Sequence, residues 1–190
     1  MRRILVDFSI QLRPWDGFGI NYVETAQTRD YHADPQDYGG FSILSEEDRY
    51  RVVDLIFGDD GLRPGVAKMF LDPFHQPQRG QGTRPDGRID LSAYDHTTTT
   101  RWMRFFINEG LKRTRERGGT LQVIVTLYGP PAWMTRQRFV RGRDLDPAHA
   151  DDCARYLVSW AKYLREVEDV PVCYVSLHNE GEDWRRWPAD

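Results

Sequence analysis

Residues 121–127, Leu-Gln-Val-Ile-Val-Thr-Leu, carry the clearest strand signal of the chain. The run is rich in β-branched residues, and Gly119 and Gly129 bound it on either side. A continuous apolar run, unlike a strict alternation, indicates a strand that is buried on both faces. The stretch therefore predicts an interior strand of a parallel sheet that is covered by helices.

Further strand signals lie on both sides of this run, and amphipathic helical patterns separate them. The four predicted strands are 17–23, 66–70, 121–127 and 172–177, and the second leads directly into residues 71–75. The predicted helices are about 45–57, 97–117 and 148–168. Residues 4–12 suggest one more short strand, and 25–40 and 76–96 suggest long loops. The organisation is α/β, with a repeating strand-helix unit.

Composition excludes several classes of partner. The 190 residues carry a net charge of −3, which argues against a nucleic-acid-binding surface. No window approaches the ~18 apolar residues of a membrane span. Asp7 interrupts the apolar run that follows the basic N-terminus, so no signal peptide is predicted. We expect a cytoplasmic protein, or a secreted one if an upstream leader has been removed.

Cysteine usage and cofactor motifs point to neither a disulfide framework nor a bound cofactor. Cys153 lies in a helical pattern and Cys173 in a strand pattern, so both are predicted to be small buried apolar residues. His178-x-Glu180 is not followed by the Pro-Cys-x-x-Cys segment of zinc deaminases. The segment that contains Gly17 and Gly19 has no third glycine at the position that a dinucleotide-binding motif requires. We expect no metal and no cofactor.

Polar and aromatic side chains follow each predicted strand at its carboxyl end, where catalytic groups gather in βα folds. The candidate site residues are Asn21, Glu24, His75, Tyr128, Trp133, His178, Asn179 and Glu180. Carboxylates can move protons, amides and imidazoles can bind hydroxyls, and flat aromatic faces can contact a sugar ring. This set of residue types predicts a carbohydrate site.

Several of these candidates have a structural alternative. Trp133 follows two prolines, so it either presents a rigid stacking face or anchors its own loop, and Tyr128 poses the same choice. His75 and His178 either bind substrate or make structural hydrogen bonds. Glu180 is either a catalytic group or the solvated start of the acidic segment 180–183.

Three segments together resemble (β/α)8-barrel glycoside hydrolases, most closely glycoside hydrolase family 30 and its relatives. They are the Gly-Phe-Gly strand at 17–19, the Pro-Pro-Ala-Trp-Met segment at 130–134 and Asn179-Glu180 after the fourth strand. The resemblance covers about residues 15–190 and implies a (β/α)8 TIM barrel. A complete barrel typically has ~250 residues. We therefore expect residues 1–190 to supply about the first four βα units, the N-terminal half of a catalytic domain incomplete at its C-terminus.

The resemblance also implies a reaction, the retaining hydrolysis of O-glycosidic bonds. Glu180 would be the acid/base, which requires a raised pKa, and Asn179 would bind the sugar 2-hydroxyl. Many relatives carry an Arg in strand two that supports the catalytic carboxylates, whereas this sequence has Lys68, which lacks the planar fork. The nucleophile would be a Glu after strand seven, and no residue of this chain matches it.

The missing carboxylate makes us expect that the chain alone is inactive. Its partners would be an oligosaccharide substrate and the C-terminal half of the barrel, supplied in cis or in trans. The sequence is then a fragment, a truncated reading frame or one of two complementing chains. The alternative is a non-catalytic carbohydrate-binding half-barrel, or a scaffold, that self-associates to cover its open sheet edge.

Overall fold

A computed structural model describes residues 3–5, 7–10, 17–22, 40–76, 82–139 and 144–179. Strands and helices alternate along these ranges. The strands are β1 (Gly19–Asn21), β2 (Val66–Leu71), β3 (Gln122–Leu127) and β4 (Val172–Ser176). The helices are α1 (Glu46–Phe57), α2 (Arg101–Glu116) and α3 (Ala150–Glu166). The described residues thus contain three complete strand-helix units and a fourth strand.

The four strands form one parallel sheet in the order β1-β2-β3-β4. Each strand pairs with the strand that precedes it in the chain, whereas a doubly wound sheet reverses its order at a switch point. Right-handed crossovers in such an order place every helix on the same face of the sheet. This arrangement is consistent with part of a TIM barrel, and it confirms the predicted parallel sheet.

Alternate side chains of the central strands face the helices, as the two-residue period of a strand requires. The helix-facing residues are buried and form a single core with α1, α2 and α3; in the two central strands they are Ala67, Met69, Leu71, Val123, Val125 and Leu127. Lys68, Phe70 and Thr126 alternate with them and therefore point to the opposite face. In a closed barrel that opposite face is the interior.

Helix α1 begins at a capped turn and packs closely on α2. Ser45 is the N-cap, and its hydroxyl oxygen accepts a hydrogen bond from the backbone N–H of Asp48 at 3.1 Å. Gly110 of α2 lies directly over the ring of Phe57, where an added methyl carbon would sit only 2.6 Å from the nearest ring atom. The glycine at 110 therefore permits the close approach of the two helices.

Two local predictions are wrong. Residues 4–12 do not form a strand in their described parts, which contain a turn at 8–9. Cys173 is exposed, because β4 is the last strand of the described sheet and no described element covers it at this position. Cys153, in contrast, is buried as predicted, and its burial raises the pKa of the thiol to about 12. Burial of a cysteine depends on what packs against it, which a local pattern does not specify.

The predicted loop 76–96 contains short ordered features where it is described. Thr83 and Ile89 form an isolated antiparallel bridge, and residues Leu91–Ala93 form a single 3-10 turn capped by Asp90. In the described part of the chain, no helix is long and apolar enough to cross a membrane.

Candidate functional site

A hydrogen bond between Lys68 and Asn179 links two non-adjacent strands at the candidate site. The Lys68 Nζ atom donates to Asn179 Oδ1 at 2.8 Å. Lys68 lies in β2 and Asn179 follows β4, so the bond crosses over β3, which lies between them. Asn179 is only 9% exposed. The bond therefore holds the residue that precedes Glu180 against the face of the sheet opposite the helices.

The chemistry of the two groups fixes the orientation of the Asn179 amide. An ammonium group can only donate hydrogen bonds, so the amide oxygen must be the atom that faces Lys68. The Asn179 Nδ2 group then points away from the lysine and remains a donor. A donor in this position suits an acceptor such as a hydroxyl oxygen.

Two aromatic rings form a wall beside this pair. The Lys68 Nζ atom lies 4.7 Å from the centroid of the Phe70 ring, within the range of a cation-π contact. The Phe70 ring in turn meets Tyr128 edge to face, with centroids 5.6 Å apart and an interplanar angle of 90°. Tyr128, a predicted site residue, is thus half-buried against β2 immediately after β3 ends.

Trp133 is anchored in the segment that follows β3. It belongs to the 3-10 turn Ala132–Met134, and its indole N–H donates to the carbonyl oxygen of Gln76 at 2.9 Å. Its ring also meets His149 nearly edge on, with centroids 5.3 Å apart. The loop-anchoring alternative therefore describes one function of Trp133. The half-buried ring remains a candidate stacking surface, and that role stays a prediction.

His75 lies inside the protein, and its predicted role in substrate binding stays a prediction. The residue is 0% exposed, and its Nδ1 atom lies 2.8 Å from Nδ1 of His96. Its Nε2 atom lies 3.3 Å from Asp72 Oδ2, and its backbone N–H donates to the Tyr156 hydroxyl at 3.1 Å. Both ring nitrogens already have protein partners, so the structural alternative fits His75, and we leave it out of the proposed site.

The second histidine of this pair is held neutral by its surroundings. Burial, together with the neighbouring His75, lowers the pKa of His96 to about 2. The His96 ring stacks on Tyr94, with an interplanar angle of 3°. These contacts make the side chains of Tyr94 and His96 part of the core.

Of the remaining predicted site residues, two are exposed near strand ends and two lie outside the described residues. Asn21 ends β1, is exposed, and pairs in register with Lys68. His178 is exposed, and its carbonyl oxygen accepts a hydrogen bond from the Ser176 hydroxyl at 2.9 Å. Glu24 and Glu180 lie outside the described residues, so their roles stay predictions.

Within the described ranges, no group of three or more His, Cys, Asp or Glu side chains is arranged to hold a metal.

Sequence reasoning noted Lys68 but did not place it beside Asn179. The available signal was an ionisable residue inside an apolar strand, since such a residue is rarely buried without a partner. The partner itself could not be predicted from the sequence, because Lys68 and Asn179 are 111 positions apart in the chain. Only the pairing of β2, β3 and β4 brings them together.

Comparisons with known proteins identify solved structures that share this fold. No protein-family model matches the sequence, and no similar curated protein was found. Among solved structures, SrfJ from Salmonella typhimurium matches with a TM-score of 0.56 and 19% identity over 89% of this chain. An endo-β1,6-glucanase matches with a TM-score of 0.60 and 18% identity over 92% of this chain. Identities this low establish the fold alone, which is glycoside hydrolase-like.

The matched region is only a part of each neighbour. The chain covers 35% of SrfJ and 37% of the glucanase. It therefore spans little more than a third of the length of the structures whose fold it shares.

Proposed function

We propose that the chain is the N-terminal half of a catalytic domain that hydrolyses O-glycosidic bonds with retention of configuration. The observation that carries the proposal is the Lys68–Asn179 hydrogen bond, which reaches from the interior of β2 to the residues that follow the carboxyl end of β4. It occurs in a fold that the chain shares with an endo-β1,6-glucanase over 92% of its own length. Carboxyl ends of parallel strands are where barrel enzymes keep their reacting groups.

In this proposal Asn179 recognises the sugar and Glu180 moves the proton. The Asn179 Nδ2 group, turned away from Lys68, donates a hydrogen bond to a sugar hydroxyl oxygen. Glu180, the next residue, first protonates the leaving oxygen and then activates water. Tyr128 and Trp133 supply aromatic surface for the apolar face of a sugar ring.

The second carboxylate of a retaining site comes from outside these residues. Retaining glycosidases place the nucleophile ~5–5.5 Å from the acid/base. The C-terminal half of the barrel supplies it, in cis or in trans. Exposed apolar side chains at both edges of the described sheet support further strands there: Phe18 beside β1 is 77% exposed and Leu177 beside β4 is 71% exposed.

Substitution of Glu180 in the complete protein tests the proposal. Glu180→Gln should reduce turnover of glycosides with poor leaving groups by roughly 10²–10⁴-fold, because these require protonation. Activated aryl glycosides should lose far less activity. Glu116→Gln, an exposed position at the end of α2, is the matched control and should leave both rates unchanged. Equal losses on both substrate classes would remove Glu180 from the acid/base role.

The coding sequence offers an independent test. If the proposal holds, the reading frame continues after Asp190 with further βα units and a strand-end Glu roughly 80–120 residues on, at about 30 residues per unit. A stop codon followed by unrelated sequence would contradict the enzyme proposal, unless a second gene encodes the complementing half.

The exposed sheet edges also favour a second candidate, a non-catalytic half-barrel that binds glycans as a self-associated module. Tyr174 and Val175 of β4 are each 49% exposed and would be covered in a dimer. Size-exclusion chromatography of the chain separates the two functions. A monodisperse dimer that binds glycans supports the binding module, whereas an aggregating chain supports a half that requires its complement.

A further inference from the structure

The segment after β3 contains a chain of polar contacts that ends at Trp133. The Arg138 guanidinium donates to the backbone carbonyl of Trp133, and its Nη2 atom donates to Asp146 Oδ2 at 3.0 Å. The Arg138 Nη1 atom also lies 3.3 Å from Nε2 of His149. One arginine thus joins the backbone of Trp133 to the residue that precedes α3.

The partners of His149 determine which of its nitrogens carries the proton. Its Nδ1 atom lies 2.9 Å from Asp152 Oδ2, and a carboxylate can only accept, so Nδ1 must carry hydrogen. Its Nε2 atom faces Arg138, and because a guanidinium can only donate, Nε2 can accept this hydrogen bond only when it carries no hydrogen. His149 is only 2% exposed, and the contact with Arg138 requires its Nδ1–H form.

Trp133 is fixed on three sides by this arrangement. Its indole N–H donates to the Gln76 carbonyl, its own carbonyl accepts from Arg138, and its ring packs nearly perpendicular to the His149 ring. Arg138 itself has a backbone φ of +52°, a left-handed conformation that is uncommon for residues other than glycine, asparagine and aspartate. Its side-chain contacts compensate for that unusual backbone.

We propose that Arg138 and neutral His149 form a clamp that positions Trp133 for contact with a glycan. The glycan role of Trp133 rests on the proposed function, whereas the clamp itself rests on the contacts above. Arg138 and His149 are positioning residues, since neither is placed in contact with substrate. Among the described residues, the charged groups around the His149 ring are Asp152 at Nδ1 and Arg138 at Nε2, with Arg155 and Asp146 behind them.

Nitrogen-15 NMR of the full chain tests the state of His149 directly. The expected spectrum at neutral pH shows a protonated Nδ1 and a bare Nε2 for this residue, assigned by comparison with His149→Asn. A protonated Nε2 would overturn the clamp, because that nitrogen could not accept a hydrogen bond from Arg138. This measurement requires no glycan.

Hydrogen exchange of the Trp133 indole tests the positioning. Arg138→Asn removes the guanidinium but tolerates the left-handed backbone, and His149→Asn keeps a donor toward Asp152 but removes the acceptor. Each variant should speed exchange of the Trp133 indole N–H by roughly tenfold. The double variant should exchange hardly faster than either single variant, because both substitutions remove the same contact between residues 138 and 149. Arg136→Asn, an exposed position in the same segment, should change nothing.

The outcomes separate the clamp from the proposed function. Unchanged indole exchange in both single variants would overturn the clamp, whatever the protein binds. If exchange responds as expected, the affinity of the complete protein for a β-linked glucan oligosaccharide should fall in the same two variants. Exchange that responds while the complete protein binds no glycan would leave the clamp standing as a structural device and contradict the glycan role of Trp133.

Discussion

The Lys68 ammonium donates a hydrogen bond to the Asn179 side-chain oxygen over 2.8 Å, although 111 residues separate them in the chain. This contact joins the second and fourth strands across the third and orients the residue that precedes Glu180. The lysine contacts its partner through a single donor atom, whereas an arginine would present a planar fork of several donors. The orientation of Asn179 should therefore depend on this one bond.

Removal of the Lys68 ammonium should release the Asn179 side chain. In Lys68→Met the amide loses its donor, so its ¹⁵N order parameter should fall below about 0.6, the range of flexible groups. Lys68→Arg keeps a donor and should retain most of the order. Lys112→Met, an exposed position on α2, is the control. An ordered Asn179 in Lys68→Met would show that other contacts hold it.

The buried His96 should make the chain sensitive to acid. Its pKa is about 2 in the folded state and ordinarily 6.5, so the unfolded chain takes up the proton first as the pH falls. The free energy of unfolding should therefore decrease from pH 6.5 downward, with a slope from this residue of at most ~1.4 kcal/mol per pH unit. Above pH 6.5 this contribution should be constant.

Chemical denaturation of a His96 variant over the same pH range measures this slope. His96→Asn keeps a polar group beside His75 Nδ1 but cannot titrate, so its stability should be lower at every pH yet should fall less steeply on acidification. Parallel pH profiles for the two proteins would mean that the pKa of His96 does not differ between the folded and the unfolded state.

Glu168 should connect α2 to the end of α3 more strongly than a surface ion pair. Its carboxylate accepts hydrogen bonds from Arg104, Asn108 and Tyr163. Burial alone would raise the pKa of Glu168, but these hydrogen bonds outweigh it and the net shift is downward. Glu168→Gln should lower the free energy of unfolding by roughly 1–3 kcal/mol, measured by denaturation at neutral pH.

Glu166→Gln is the matched control for that substitution. Glu166 pairs with Lys162 one helical turn away, and the pair is exposed, so its loss should cost less than about 0.5 kcal/mol. The Glu168 contribution should also disappear on acidification, because a carboxylate with a lowered pKa stabilises above its unfolded pKa and loses that effect as the pH falls through the folded value. Equal effects of the two substitutions would contradict the network.

Gly110→Ala should destabilise the protein although alanine favours helices. The new methyl carbon would lie 2.6 Å from the Phe57 ring, which is fully buried. Overpacking of this kind costs ~1–3 kcal/mol, against a gain of up to about 1 kcal/mol in helix propensity. Thermal unfolding should show the loss, and Phe57→Leu in the same chain should reduce it. A stabilised Gly110→Ala would place Phe57 elsewhere.

The order of strands and helices was predictable because the apolar periodicity that defines them is local. Strand β3 was expected at 121–127 and observed at Gln122–Leu127, and the two later helices lie within their expected ranges. Site geometry was less accessible. The predicted set included His75, which is buried, and omitted the contact between Lys68 and Asn179.

The sequence by itself determined the succession of buried strands and amphipathic helices, and the polar and aromatic residues that follow each strand. Only the tertiary structure decided which of those residues meet. It placed His75 against His96 in the core, left Cys173 exposed and joined Lys68 to Asn179. The physical reason is that propensity and periodicity act over a few residues, whereas burial and hydrogen bonding depend on elements that are distant in the chain.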